Sequence, residues 1–435
     1  MGSSIFGDLK VNDFLTQELI DINNKRLNDM VEKIRTDTNE FALFLGAGVS
    51  ANIGLPLWGN LITRMAKVII HNAEQNDLFQ KLLDEGVSLF NGINAPETAE
   101  YFRNYFDSMP VDVLESESRA QKTPMNEFLI ASLVKGILTE CYEKAKTNAD
   151  WSLLEAIVKL LASDDNPTGI KHVLTYNFDD ALEKACFYKG VSDQIESLTV
   201  SKLRFAEPET PFMSRIYHIH GRTAFLVEDL ATEDMRNSFY GGLIFTETKY
   251  RERDRDTYGA ANACHAHLLS AYKCLAVGLS FQDDSLRRLL NNRLPSEDPP
   301  RHYILLDVDT IMKEMRLPFP SEEKNPEFDE FLCTIEPQLA HIIQTEYINE
   351  GIGSQSNDEL YKAFLENIEK IFDKTEAKTK HSDSASVKAA KELFASILGL
   401  RSNYLFRKGF CPILLMRDDI CGVIERVGDA LLRPL

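Results

Sequence analysis

Three short segments of this chain hold the residues best suited to chemistry. KHVLTYNFDD (171–180) is an apolar run ending in Asn177, Asp179 and Asp180. RIYHIHG (215–221) ends in His218, His220 and Gly221. An imidazole with its ordinary pKa of about 6.5 can accept a proton near neutral pH, which would suit His220 as a general base; the alternative is a buried structural histidine. A carboxamide both donates and accepts hydrogen bonds, so Asn177 can orient a bound hydroxyl or water, or it can cap the helix that follows. Asp179 and Asp180 also read as helix-start carboxylates. In a regular strand His218 shares a face with His220, and it reads as structural. The third segment, GAGVSA (46–51), fits the G-x-G-x-x-G/A loop with Ala51 in the last slot. Gly46 would allow the tight turn, and Gly48 would let backbone approach a pyrophosphate held at a helix N-terminus. The acid expected about 20 residues further on is absent: positions 64–73 carry Arg64, Lys67 and His71 but no Asp or Glu, which argues against a plain dehydrogenase.

The elements that must position these residues alternate in type. FALFLGAG (41–48), KHVLTYNFDD, RIYHIHG, GGLIFTETKY (241–250), KCLAVGLSF (273–281) and RHYILLDVD (301–309) read as strands. Residues 12–38, much of 60–165, 257–272 and 284–292 read as helices. This alternation predicts an α/β fold, a doubly wound parallel sheet flanked by helices. A Pro-rich polar stretch, PFPSEEKNPE (318–327), places a boundary near residue 312: a domain over 1–312 with a helical insertion at about 60–165, then a mainly helical region over 313–435. Helical spacing is clearest there at 360–372 and 387–400.

Charge and composition narrow the function. The net charge is −19, and so acidic a surface disfavours general nucleic-acid binding. The seven cysteines form no CxxC pair and read as reduced thiols, which predicts a cytoplasmic protein without a disulfide frame or zinc ribbon. The N-terminal residues show no secretory signal. The uncharged stretch 41–63 is interrupted by glycines, Pro56 and two asparagines, so a buried strand and loop are expected there and no membrane span.

Together the motifs resemble one family. GAGVSANIGLPLW (46–58), TYNFD (175–179), HIHG (218–221) and GLS (278–280) are similar, in order, to the sirtuin GAG-x-S loop with its Gly-x-Pro, Thr-Gln-Asn-Ile-Asp, His-Gly and Gly-Thr-Ser segments. The departures are specific. Only Cys264 and Cys274 lie where sirtuin deacylases carry a zinc module of two CxxC pairs, and Leu57-Trp58-Gly59 replaces Asp-Phe-Arg. With FTETKY and GLSFQDDSLRRLL, these departures resemble the sirtuin-like NAD hydrolases of bacterial anti-phage defence, such as the Thoeris effector and the HerA-associated proteins.

The resemblance implies a sirtuin-like Rossmann fold that takes NAD as substrate and uses no metal. It assigns Asn177 to the ribose hydroxyls and attacking water, and His220 to the base. It assigns Asp179 to the nicotinamide carboxamide, and Gly46, Ala47, Gly48, Ser50, Gly278, Ser280 and Asp283 to the rest of the dinucleotide. Trp58 would wall the nicotinamide pocket or belong to the core, and Asp307 would reach the adenosine ribose. The implied activity is NAD glycohydrolysis; a non-enzymatic nucleotide sensor or assembly subunit and a protein deacylase are the alternatives. Because unregulated hydrolysis would harm the host, a homo-oligomer is expected, with a HerA-like ATPase as candidate partner.

Overall fold

A computed structural model of the chain describes residues 17–37, 40–69, 98–100, 102–104, 125–167, 169–199, 214–223, 243–255, 259–279, 286, 290, 301–308, 398, 405, 408–415 and 417–432. The predicted helices at 360–372 and most of 387–400 lie outside them. The helices are α1 (Gln17–Thr36), α2 (Trp58–Ile69), α3 (Met125–Ala145), α4 (Ser152–Leu160), α5 (Ala181–Tyr188), α6 (Glu247–Arg255), α7 (Ala260–Ala271) and α8 (Arg417–Leu432). The strands are β1 (Phe41–Leu45), β2 (His172–Thr175), β3 (Ile195–Thr199), β4 (Ser214–His218), β5 (Lys273–Val277), β6 (His302–Asp307) and β7 (Phe410–Leu415).

The strands form one seven-stranded sheet in the order β3-β4-β2-β1-β5-β6-β7, the α/β arrangement expected from the sequence. Every registered pairing from β3 to β6 is parallel. The central strand β1, FALFL, is buried throughout, as a strand covered on both faces must be. Each large apolar side chain there contributes about 1.5–3 kcal/mol by leaving water. The order reverses about β1: β2 lies on one side and β5, next in space but far along the chain, on the other. In open α/β sheets ligands bind at such a reversal, outside the carboxyl ends of the strands.

Three local expectations change. The described residues of GGLIFTETKY, 243–250, do not form a strand. Leu243, Ile244 and Phe245 run past the sheet as irregular buried chain, with the Ile244 N–H donating to the His220 carbonyl at 2.8 Å, and α6 begins at Glu247. Thr246 and Glu247 are helix-start residues, and the Thr246 hydroxyl accepts the Lys249 N–H at 3.4 Å. Two strands escape the sequence reading, β3 and β7. IESLT in β3 is half-buried over its first three residues and lacks a continuous apolar run. FCPILL in β7 contains Pro412, which argues against a strand except at an edge.

The chain divides into two compact units. The smaller comprises residues 1–26, 290–300 and 307–417. Within it the Asn23 carboxamide exchanges two hydrogen bonds with Leu414 of β7, at 3.0 and 2.8 Å, and Arg26 donates to the Pro412 carbonyl. These side chains satisfy backbone groups that an edge strand would leave open. The larger comprises 27–289, 301–306 and 418–435 and holds the candidate site. Among the described residues no helix is long and apolar enough to cross a membrane.

Candidate functional site

The site forms where β1, β2, β4 and β5 end. At β1 and β5 the two loops meet backbone to backbone. The Gly46 N–H donates to the Val277 carbonyl and the Gly48 N–H to the Gly278 carbonyl, both at 3.0 Å. A Cβ at Gly46 would stand 2.3 Å from the Gly278 carbonyl oxygen, and one at Gly48 would stand 2.7 Å from the Gly278 Cα. Gly278 itself has φ +65°, and a Cβ there would meet the Val49 nitrogen at 2.6 Å. The glycines are thus required first by this loop-to-loop contact.

β1 does not run directly into a long helix. Two 3-10 turns follow, at Ala47–Val49 and Ala51–Ile53, and α2 starts only at Trp58. The amides of Val49 and Ser50 close the first turn onto Gly46 and Ala47.

Ser50 links this loop to the end of β2. The Asn177 Nδ2 donates to Ser50 Oγ at 3.3 Å, and Ser50 Oγ donates to Asp179 Oδ1 at 3.0 Å. Asp179 Oδ1 also accepts the Ala181 N–H at 3.1 Å, at the first residue of α5. Asp180 occupies the N-cap position with no capping hydrogen bond from its side chain, so Asp179 serves the helix end instead. Asn177 is no helix cap: its carboxamide faces Ser50, and its Oδ1 is buried without a hydrogen-bond partner. Burial lifts the Asp179 carboxyl to about 6, opposed by the Ala181 N–H and the Ser50 hydroxyl.

His220 follows β4, the neighbour of β2. Thr175 pairs with His218, so Asn177 and His220 each stand two residues beyond the same register line. Three further bonds join the turns: the Ile219 N–H donates to the Thr175 carbonyl, and both the Thr223 N–H and hydroxyl donate to the Phe178 carbonyl. The residues on either side of Asn177 touch the His220 ring, Tyr176 edge-on at 5.4 Å and Phe178 tilted at 6.3 Å. Tyr250 of α6 closes a third side at 5.3 Å. Gly221, with φ 85°, turns the chain immediately after His220.

Trp58 stacks on Phe178 at 5.3 Å and meets Phe245 edge-on at 4.9 Å, so the half-buried indole belongs to the aromatic wall of the site. His218 turns away to Glu183, its Nε2 2.6 Å from Oε1. Asp307, at the end of β6, is half-buried. Ser280 and Asp283 lie outside the described residues. The sequence reading missed Glu183, Arg222, Tyr176 and Tyr250. For Glu183 a signal exists: it is a lone acid among Ala181, Leu182, Ala185 and Cys186, which are all buried.

Among the described residues no group of three or more His, Cys, Asp and Glu side chains is placed to hold a metal ion. Cys264 and Cys274 are both buried thiols, and burial raises the Cys264 thiol to about 12. No curated protein matches the chain. The family model of the SIR2-like domain matches residues 171–328, which include Asn177, Asp179, His220 and Gly278 but not the 46–51 loop, and the match supports a sirtuin-like family and NAD-dependent activity in general.

Proposed function

We propose that the chain is an NAD glycohydrolase, converting NAD and water into nicotinamide, ADP-ribose and a proton. The observation that carries this reading is the Asn177 carboxamide, fixed through Nδ2 while its buried Oδ1 lacks a partner. An unsatisfied buried acceptor costs about 1–3 kcal/mol, so its retention favours a ligand that brings a donor, such as a ribose hydroxyl or a water.

The bond to be broken joins ribose C1′ to the pyridinium nitrogen. As it breaks, its electron pair goes to nicotinamide, which leaves neutral, so no acid catalyst is required. Positive charge develops on the sugar in an oxocarbenium-like state, as in other glycosidic cleavage. Water, oriented by Asn177, adds at C1′, and His220 accepts its proton. Asp179, with its pKa lifted to about 6, exists in both protonation states near neutral pH and can exchange hydrogen bonds with the nicotinamide carboxamide. Trp58, Phe178 and Phe245 supply an apolar wall beside these polar groups.

The test is chromatography of NAD incubated with the full chain, alone and with candidate activators. Wild type releases nicotinamide and ADP-ribose in equal amounts. Asn177→Ala slows turnover about 10²–10⁴-fold, the usual loss for a group that positions or transfers a proton. Transfer of ADP-ribose to an acylated peptide would point to deacylation instead. The biological reading follows the resemblance: regulated NAD depletion in anti-phage defence, by an assembly of copies with a HerA-like ATPase as candidate partner and residues 313–435 serving control. Light scattering and activity with and without such an ATPase test it; a strict monomer with full constitutive activity would argue against it.

A further inference from the structure

Behind the two turns lies a buried ionic cluster that the proposed reaction does not use. Glu183 stands in the first turn of α5, and its Oε1 gathers three partners: the Ser197 hydroxyl at 2.6 Å, His218 Nε2 at 2.6 Å and Arg222 Nη1 at 2.9 Å. Arg222 Nη1 also donates to Ser197 Oγ at 2.9 Å. The side chains of His218, Arg222 and Glu183 are 1%, 7% and 8% exposed, so these groups meet out of water.

Their places along the chain give the cluster its meaning. His218 stands two residues before His220, and Arg222 stands two after it. Glu183 belongs to the helix that the Asn177–Asp180 turn feeds. His218 Nδ1 further faces the Asn177 carbonyl at 3.5 Å. One carboxylate therefore grips both flanks of the His220 turn and ties them to the helix that follows the Asn177 turn.

Stability alone explains this poorly. Replacing a buried ion pair by well-packed apolar residues is often neutral or stabilising. Here all three partners converge on Oε1, while Oε2 is buried with no partner. Burial raises the Glu183 carboxyl, but the charges of His218 and Arg222 and the hydrogen bonds outweigh it and hold the group well below the usual carboxylate range. What the arrangement supplies is orientation, and catalytic groups need placement to within about 0.5 Å.

We propose that Glu183 is a positioning residue: through His218 and Arg222 it sets where His220 stands relative to Asn177. The kinetic consequence, though not the geometric one, rests on the NAD-hydrolysis reading. The test compares wild type, Glu183→Gln and the paired variant Glu183→Ala with Arg222→Met, the last chosen so that no unpaired guanidinium remains buried. Kinetic constants are expressed per folded molecule, with the folded fraction taken from thermal unfolding, and the paired variant is crystallised beside wild type.

In the paired variant kcat falls about 10²-fold, as expected for a displacement of about 1 Å, with KM little changed. Glu183→Gln, which keeps one acceptor oxygen, loses less. A purely structural role would lower the folded fraction and leave kcat per folded molecule alone. If wild type hydrolyses NAD and the paired variant keeps its kcat, the inference is overturned. If wild type itself leaves NAD intact, the function reading fails and the crystal structures decide: a displaced His220 turn upholds the inference, and an unmoved one overturns it.

Discussion

Replacing Asp179 with Asn removes a charge that the fold holds at a cost. The Asp179 carboxyl rises from 3.8 to about 6 because burial disfavours its ionised form. A group whose folded pKa is raised contributes stability below its unfolded pKa, and that contribution is lost as pH rises through the folded pKa. Relative to a neutral side chain of the same shape, the penalty is under about 1 kcal/mol at pH 4 and about 3 kcal/mol at pH 8, growing through the range between the two pKa values. Asn can still accept the Ser50 and Ala181 donors through its oxygen. Asp179→Asn should therefore gain about 2–3 kcal/mol over wild type between pH 4 and pH 8, whatever fixed offset the substitution carries. Urea unfolding of both proteins across that range reads the difference directly, and the offset cancels. A stability difference that is flat with pH, or that shrinks as pH rises, would refute the reasoning. If the gain comes with lost NAD turnover, the costly charge is there for function, the usual exchange at active sites.

Gly278→Ala forces a side chain into a left-handed conformation and against the Val49 nitrogen at 2.6 Å; at least about 1–3 kcal/mol should be lost in thermal unfolding, with NAD turnover falling alongside. Arg222→Met leaves the Glu183 carboxylate short of a buried cation and should cost about 3–5 kcal/mol, read as a lowered urea midpoint at unchanged slope. The Glu183 carboxyl is held below 4.5, so its contribution is present above that pH and fades as pH falls; wild type should lose stability on acidification more steeply than Glu183→Gln. Trp58→Leu removes the stack on Phe178 and the edge contact with Phe245, and should weaken NAD turnover more than it lowers the melting temperature.

The strands legible in the sequence are those that central burial writes as apolar runs: β1, β2, β4, β5 and β6. Edge strands carry a weaker signal, which is why IESLT and the Pro-containing FCPILL go unread. Leu243, Ile244 and Phe245 mislead in the opposite sense, because chain that packs against a site is as apolar as a strand without pairing like one. At the site, Asn177, Asp179 and His220 are legible because each closes such a run. Their connections are not. The Ser50 hydroxyl reaches Asp179 across 129 residues of sequence, and Glu183 reaches Arg222 across 39. Spacing along the chain carries no trace of contacts that only the sheet order creates. The glycine loop was legible as a strand-end turn, but its first physical duty, clearance for Gly278, depends on β5 lying beside β1.

The most direct test of the central claim is a time course of NAD, nicotinamide and ADP-ribose, by proton NMR, for wild type and His220→Ala at equal folded concentration. Wild type, with its activator if one is required, is expected to convert NAD into the two products in a one-to-one ratio, whereas His220→Ala binds NAD but barely turns it over. Equal rates in the two proteins, or NAD left intact by assembled and activated wild type, would contradict it.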